Sequence, residues 1–142
     1  MTRNKIRTKQ SSTGQKHAKK VLFYTYYYYF CDMKIFYNRH FPFGSYWAIN
    51  ICGVVFARSD HGRLGKIEQN HEYIHTLQQR ELLFIGFYLL YVCEWLFRLA
   101  FYRDQYLAYR NLSFEREAYS HQGNLNYKNT REKFAWRKYF KR

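Results

Sequence analysis

The sequence predicts a mainly helical α+β fold: a small antiparallel sheet, then a helix bearing two histidines, an apolar helix and a glutamate-bearing helix. Three observations predict it. Between Val21 and Arg58 the chain is rich in aromatic and β-branched residues and is divided by turn residues. After Gly65, good helix formers run without proline or glycine to Leu82, with Ile67, Ile74, Leu77 and Leu82 at helical intervals. From Leu82 to Tyr102 only Glu94 and Arg98 interrupt an apolar stretch that is too long for a strand.

The elements follow in order. Residues 1–20 carry seven Lys or Arg, no acid and a Ser-Ser-Thr-Gly cluster, and are expected to be a disordered basic tail. Residues 21–142 suffice for one domain. Val21 to Phe30 is β-prone; its tyrosines and the lack of a small-residue cleavage site argue against a secretory signal. Phe41-Pro42-Phe43-Gly44 reads as a turn, and Tyr46 to Arg58 as a second strand run.

The helix after Gly65 contains the most informative residues. His71-Glu72-Tyr73-Ile74-His75 is an H-E-x-x-H motif. Four residues is slightly more than one helical turn, so His71 and His75 share a face and can offer two imidazoles to one metal, with Glu72 beside them as a general base. That arrangement is the signature of zinc-dependent hydrolases. A third ligand is needed, and no histidine follows at metzincin spacing. Three glutamates are candidates: Glu94, Glu115 and Glu117. Glu94 follows His75 at nearly the interval of thermolysin-like and aminopeptidase zinc enzymes, but Arg98 lies one turn on as an ion-pair partner.

Ser113-Phe114-Glu115-Arg116-Glu117-Ala118-Tyr119 resembles the E-x-x-A-D segment of CAAX-prenyl-protease-type membrane metallopeptidases and the E-R-E-L-A-C-D segment of β-lactam-sensor metallopeptidases. The resemblance runs from about Asn70 to His121 and includes the Leu- and aromatic-rich stretch between the two motifs. It implies a gluzincin-like peptidase in which His71, His75 and Glu115 hold Zn²⁺ and Glu72 moves the proton; His121 and Tyr119 are the candidates in this chain for stabilising the oxyanion. Tyr119 stands where those families have an Asp that orients a metal-binding histidine. In zinc peptidases an edge strand beside the motif helix holds the extended substrate, and Ile49 to Ala57 is the candidate here. For Glu115 to reach His75, either a long helical hairpin turns near Trp95 or a third short helix brings it back. Gly86 is the natural break if Glu94 is the ligand, and nothing from Val92 to Leu99 reads as a turn.

Composition bears on partners. Aromatics are 23% of the chain and tyrosine alone numbers 16, more than a small core can bury. Trp and Tyr suit a membrane–water boundary, and Leu82 to Tyr102 is near membrane-span length. Since a crossing would separate His75 from Glu115, the segment is expected to lie in the interface or dip into one leaflet. The formal net charge is +14, nearly all of it in residues 1–20 and in the basic aromatic tail 128–142. Such tails suit anionic headgroups, and also single-stranded nucleic acid. Cys31, Cys52 and Cys93 are widely spaced with no C-x-x-C pair, as in a reduced, cytoplasm-facing chain. No phosphate-binding glycine loop or G-x-S-x-G elbow is present. The expected function is therefore a membrane-associated zinc metallopeptidase acting on a peptide or protein; the alternative is a non-catalytic membrane or nucleic-acid adaptor on the same core.

Overall fold

Residues 33–43 and 46–141 are described by the structure, a computed structural model. The expected tail at 1–20, the expected strand from Val21 to Phe30, and Cys31 lie outside them. Three strands, β1 (Lys34–Asn38), β2 (Ala48–Ile51) and β3 (Val54–Arg58), form a sheet in the order β1-β3-β2. β2 pairs antiparallel and β1 parallel with β3, so the sheet is mixed where a wholly antiparallel one was expected. The run Tyr46 to Arg58 is two strands, because it folds back at Cys52-Gly53. Their φ values of 52° and 79° are those of a two-residue type I′ turn, which favours glycine at its second position. The chain reverses at each connection, and β3 inserts between β1 and β2, so β1 and β3 run the same way. β1 ends where the Asn38 side chain accepts from the amides of His40 (2.9 Å) and Phe41 (2.7 Å), an Asx turn. Val55, Ala57 and Leu64 are buried in this half, packed by Ile35 and Trp47.

Helix α1 (Lys66–Glu81) begins directly after Gly65, as its sequence predicts. Its buried residues are mostly polar: Asn70, His71, Glu72, His75, Thr76, Gln78 and Gln79, with Ile74 the apolar member. Burying so many polar side chains is costly unless each finds a partner, and here they bind neighbouring elements. Asn50 Nδ2 donates to Glu72 O (2.6 Å) and Thr76 Oγ1 (2.8 Å), and Gln79 Nε2 donates to Asn50 O (3.1 Å), which fastens β2 alongside α1. β2 is thus the edge strand beside the motif helix, whereas Val54 to Ala57 of the expected edge stretch Ile49 to Ala57 belong to β3, which pairs on both sides and is central. At the other end Asn70 Nδ2 donates to the carbonyls of His121, Gln122 and Asn124, occupying acceptors that the end of a helix leaves open.

The chain breaks at Leu82–Phe84, ahead of Gly86, with Leu83 and Phe84 at φ of 52° and 60°. Helix α2 (Ile85–Tyr102) follows, then α3 (Gln105–Arg110), capped by the Asp104 side chain on the Leu107 amide (2.8 Å), and α4 (Ser113–His121). The short α3 returns the chain toward α1, so no long hairpin is needed. α2 is mostly exposed, and its buried residues are Phe87, Glu94 and Arg98. Its outward residues, including Ile85, Leu89, Val92, Leu96, Phe97 and Phe101, are apolar, and its charges point inward. The tail from residue 128 is folded: α5 (Tyr127–Thr130) and the 3-10 turn Ala135–Tyr139 pack against α4, with the Trp136 ring 4.7 Å from Phe114.

Candidate metal centre

α1 and α4 bring His71, His75 and Glu115 together. Helical spacing stacks the two imidazoles, and their Nε2 atoms lie 3.0 Å apart. Glu115 reaches them because α4 starts against α2. Ser113 N and Oγ donate to Glu94 Oε1 (2.9 Å) and Oε2 (2.6 Å), a carboxylate placed at the helix N-terminus, and Glu115 follows in the first turn. Glu115 Oε1 lies 3.3 Å from His75 Nε2 and Oε2 3.5 Å from His71 Nε2. All three residues are buried, and their donor atoms fall within 4.8 Å of one another, a group that can hold a metal ion.

The three glutamate candidates separate cleanly. Glu94 is occupied by Ser113 and by Arg98, whose Nε donates at 2.7 Å. Glu117 is buried but turned away, accepting from Gln78, Tyr127 and Arg131. Glu115 accepts from the Tyr91 hydroxyl on Oε1 (2.9 Å), while Oε2 is buried and, among the described residues, has no hydrogen-bond partner, with His71 Nε2 3.5 Å away. An unpaired buried carboxylate oxygen is expensive, and a cation among these donors would satisfy it. The spacing agrees. Donors held about 2.05 Å from a tetrahedral centre stand about 3.3 Å apart; the two Nε2 atoms are 3.0 Å apart and their nearest carboxylate approaches, to different oxygens of Glu115, are 3.3 and 3.5 Å.

Each histidine has a partner on its other nitrogen. His75 Nδ1 meets Gln78 Oε1 at 2.8 Å and His71 Nδ1 meets Gln122 Oε1 at 3.2 Å. An Nδ1–H donated to an amide oxygen leaves Nε2 free to bind a metal. These two contacts fix the orientation of the rings. Sequence reasoning missed both; the signal for Gln78 was its place one turn after His75 on a helix.

Electrostatics within the metal-free cluster are strong. Burial would lower His75, but the Glu115 carboxylate outweighs it and raises the imidazole to about 9. Burial would raise Glu115, and the two histidines instead hold it well below the usual carboxylate range. Burial pushes Glu72 upward, opposed by the histidines. Glu72 shares with the cluster a cleft of about 450 Å³, walled by Ala48 to Ile51 of β2 and by Phe87, Tyr88, Tyr91, Val92 and Trp95 of α2. Tyr109 also lines it. Burial, then the Glu115 charge, holds the Tyr109 phenol far above its ordinary value, so it remains a proton donor.

Of Tyr119 and His121, expected beside the reacting group, Tyr119 lies next to the cluster with its hydroxyl 3.4 Å from that of Tyr109, and His121 bonds Tyr139. The Tyr119 ring is wedged between His71, at 4.5 Å, and the Arg110 guanidinium, at 3.5 Å. His121 stacks on Tyr127 at 3.7 Å and its Nε2 lies 2.7 Å from the Tyr139 hydroxyl. Fold and site define a mainly helical α+β chain with a buried two-histidine, one-glutamate cluster at the floor of an apolar cleft. No protein family, curated protein or solved structure matches the chain.

Proposed function

We propose that the chain is a membrane-associated zinc metallopeptidase. The observation that carries this reading is the donor triangle of His71, His75 and Glu115 with Glu72 in the same cleft. Two imidazoles, one carboxylate and an open side suit catalytic zinc, which when bound lowers the pKa of water to about 7 and polarises a carbonyl. Glu72 takes the proton of the attacking water and passes it to the leaving amine, a role helped by the upward shift that burial imposes. Tyr109 donates its phenolic hydrogen bond to the developing oxyanion, in the role first assigned to Tyr119 or His121.

The substrate is an extended peptide laid beside the edge strand β2, which shares only Ile49 to Ile51 with the expected stretch Ile49 to Ala57 and whose Asn50 carbonyl already accepts from Gln79. Among the described residues the cleft is lined by no lysine, arginine or aspartate, so apolar and aromatic side chains are favoured. The outward face of α2, with Arg98 and Glu94 turned in, suits one leaflet of a bilayer with the basic segments on anionic headgroups. Cys52 and Cys93 are free thiols, in keeping with a cytoplasmic face. Metal analysis of the purified chain is the test: about one zinc per chain, lost on replacing His71 or His75 by Ala, is expected. A chain without zinc leaves the adaptor reading in its place. Glu72→Gln should keep zinc and abolish cleavage of peptides, and an active Glu72→Gln chain would remove the proton-transfer role.

A further inference from the structure

Gln78 is fully buried one turn beyond His75, where a hydrophobic residue would ordinarily sit. All of its hydrogen-bonding groups are used. Oε1 faces His75 Nδ1 (2.8 Å), and Nε2 donates both to Phe114 O (3.0 Å) and to Glu117 Oε2 (3.0 Å). Because an amide nitrogen has two hydrogens and no lone pair to offer, these acceptors prevent the flip that would turn the nitrogen toward His75. Phe114 immediately precedes Glu115. One side chain therefore touches both the imidazole of one metal donor and the backbone beside another.

Glu117 continues the line. It is fully buried and held by Arg131 Nε (2.5 Å) and Nη2 (3.2 Å) and by the Tyr127 hydroxyl (3.0 Å). Arg131 also binds Glu81 through Nη1 (2.6 Å), and Glu81 accepts from the Phe134 amide (2.9 Å). A chain of hydrogen bonds thus runs from the segment after α4 through Glu117 and Gln78 to His75. A carboxylate that accepts from an amide N–H makes the amide oxygen a stronger acceptor, and each bond in such a line strengthens the next. A stronger acceptor on Nδ1–H makes Nε2 a better donor to a metal.

We propose that Gln78 and Glu117 are positioning residues for the metal centre, and that Glu117, held in place by Arg131 and hydrogen-bonded to Gln78, tunes the affinity of His75 for zinc. This rests on the reading of the cluster as a zinc site. The contact on His71 is the weaker of the two, at 3.2 Å to a residue at the end of α4. The line through Gln78 therefore governs affinity more than the contact with Gln122 does.

The experiment measures zinc affinity by competition with a chromophoric chelator, together with the His75 Nδ1–H proton resonance, in the full chain and in Gln78→Met, Glu117→Gln and Gln122→Met. Gln78→Met should lose 10–100-fold in affinity, the range for outer partners of a ligand, and its Nδ1–H should exchange too fast to see. Glu117→Gln should keep the resonance, move it upfield and lose less affinity; Gln122→Met should leave it in place. A purely structural role would lower stability without moving that resonance. Unchanged affinity in Gln78→Met overturns the proposal. If Gln78→Met does not fold, an unmoved resonance and unchanged affinity in Glu117→Gln overturn it. A parent chain that binds no zinc refutes the metal reading instead, and the resonance, read without metal, still reports whether Gln78 holds His75.

Discussion

At the scale of single residues, the three glutamates differ only in what surrounds them. Glu115→Gln should reduce zinc affinity by more than the 10–100-fold expected for an outer partner, because it weakens a donor. Glu94→Gln should leave zinc in place and destabilise the chain by about 3–5 kcal/mol, since Arg98 loses its buried counter-charge. Zinc titration and chemical unfolding of both variants separate the roles; zinc loss on the Glu94 change alone would reverse the assignment. A pH prediction follows for the metal-free chain. The ordinary value of His75 is 6.5 and the fold raises it to about 9, so its stabilising effect is complete below 6.5 and is lost as pH rises through 9. Glu115 is lowered from 4.5, so its contribution is present above 4.5 and is lost as pH falls below it. Metal-free chain should melt highest between about pH 4.5 and 6.5. Zinc needs neutral imidazole, so its added stabilisation should instead grow with pH. Melting curves with chelator and with zinc at pH 5.5, 7 and 9.5 check both slopes, and parallel slopes would contradict the linkage.

At the scale of elements, α2 is inverted relative to an ordinary surface helix. Its moment points apolar residues at solvent while Glu94 and Arg98 are buried. An exposed apolar strip of this extent marks a surface that meets lipid or protein. Leu89→Glu with Phe97→Glu should change folding stability little, within about 0.5 kcal/mol per site, yet prevent association with vesicles. Zinc content should be unaffected. Retained vesicle binding in the double variant would place the attachment elsewhere. The start of α4 behaves differently. Phe114 is fully buried between Phe87, at 4.8 Å, and Trp136, at 4.7 Å, and Phe114→Ala should cost about 3–5 kcal/mol in unfolding measurements.

At the scale of the whole molecule, the α1–α2 break and the short α3 keep His71, His75 and Glu115, the group that can hold a metal ion, on one side of α2. α2 is long and apolar enough to cross a bilayer. Because Tyr91 and Glu94 near its middle bind Glu115 and Ser113, Glu115 stays beside His75 whichever way α2 lies, and the exposed apolar face of α2 suits an interfacial seat. The full chain should therefore stay with anionic vesicles in high salt and leave them with detergent. Release by salt alone would mean that the basic segments hold it, at about 1 kcal/mol per nearby Lys or Arg before screening. Sedimentation with single-stranded nucleic acid and not with vesicles would favour the adaptor reading.

The sequence by itself determined what depends on neighbours along the chain. It placed α1 after Gly65, stacked His71 and His75 by helical period, and marked Leu82 to Tyr102 as apolar. It left three glutamates open, because spacing does not say which element packs on which. Only the tertiary structure chose Glu115, by seating α4 on Glu94 through Ser113 and turning Glu117 toward Arg131. It also divided Tyr46 to Arg58 at Cys52-Gly53, a turn hidden by a cysteine where asparagine or aspartate is the usual sign, and made the sheet mixed. The direction that α2 faces and the amides that hold the histidines likewise arise from contacts between residues far apart in sequence. Hydrophobic periodicity cannot report such contacts, since it records the pattern within an element and not its partner.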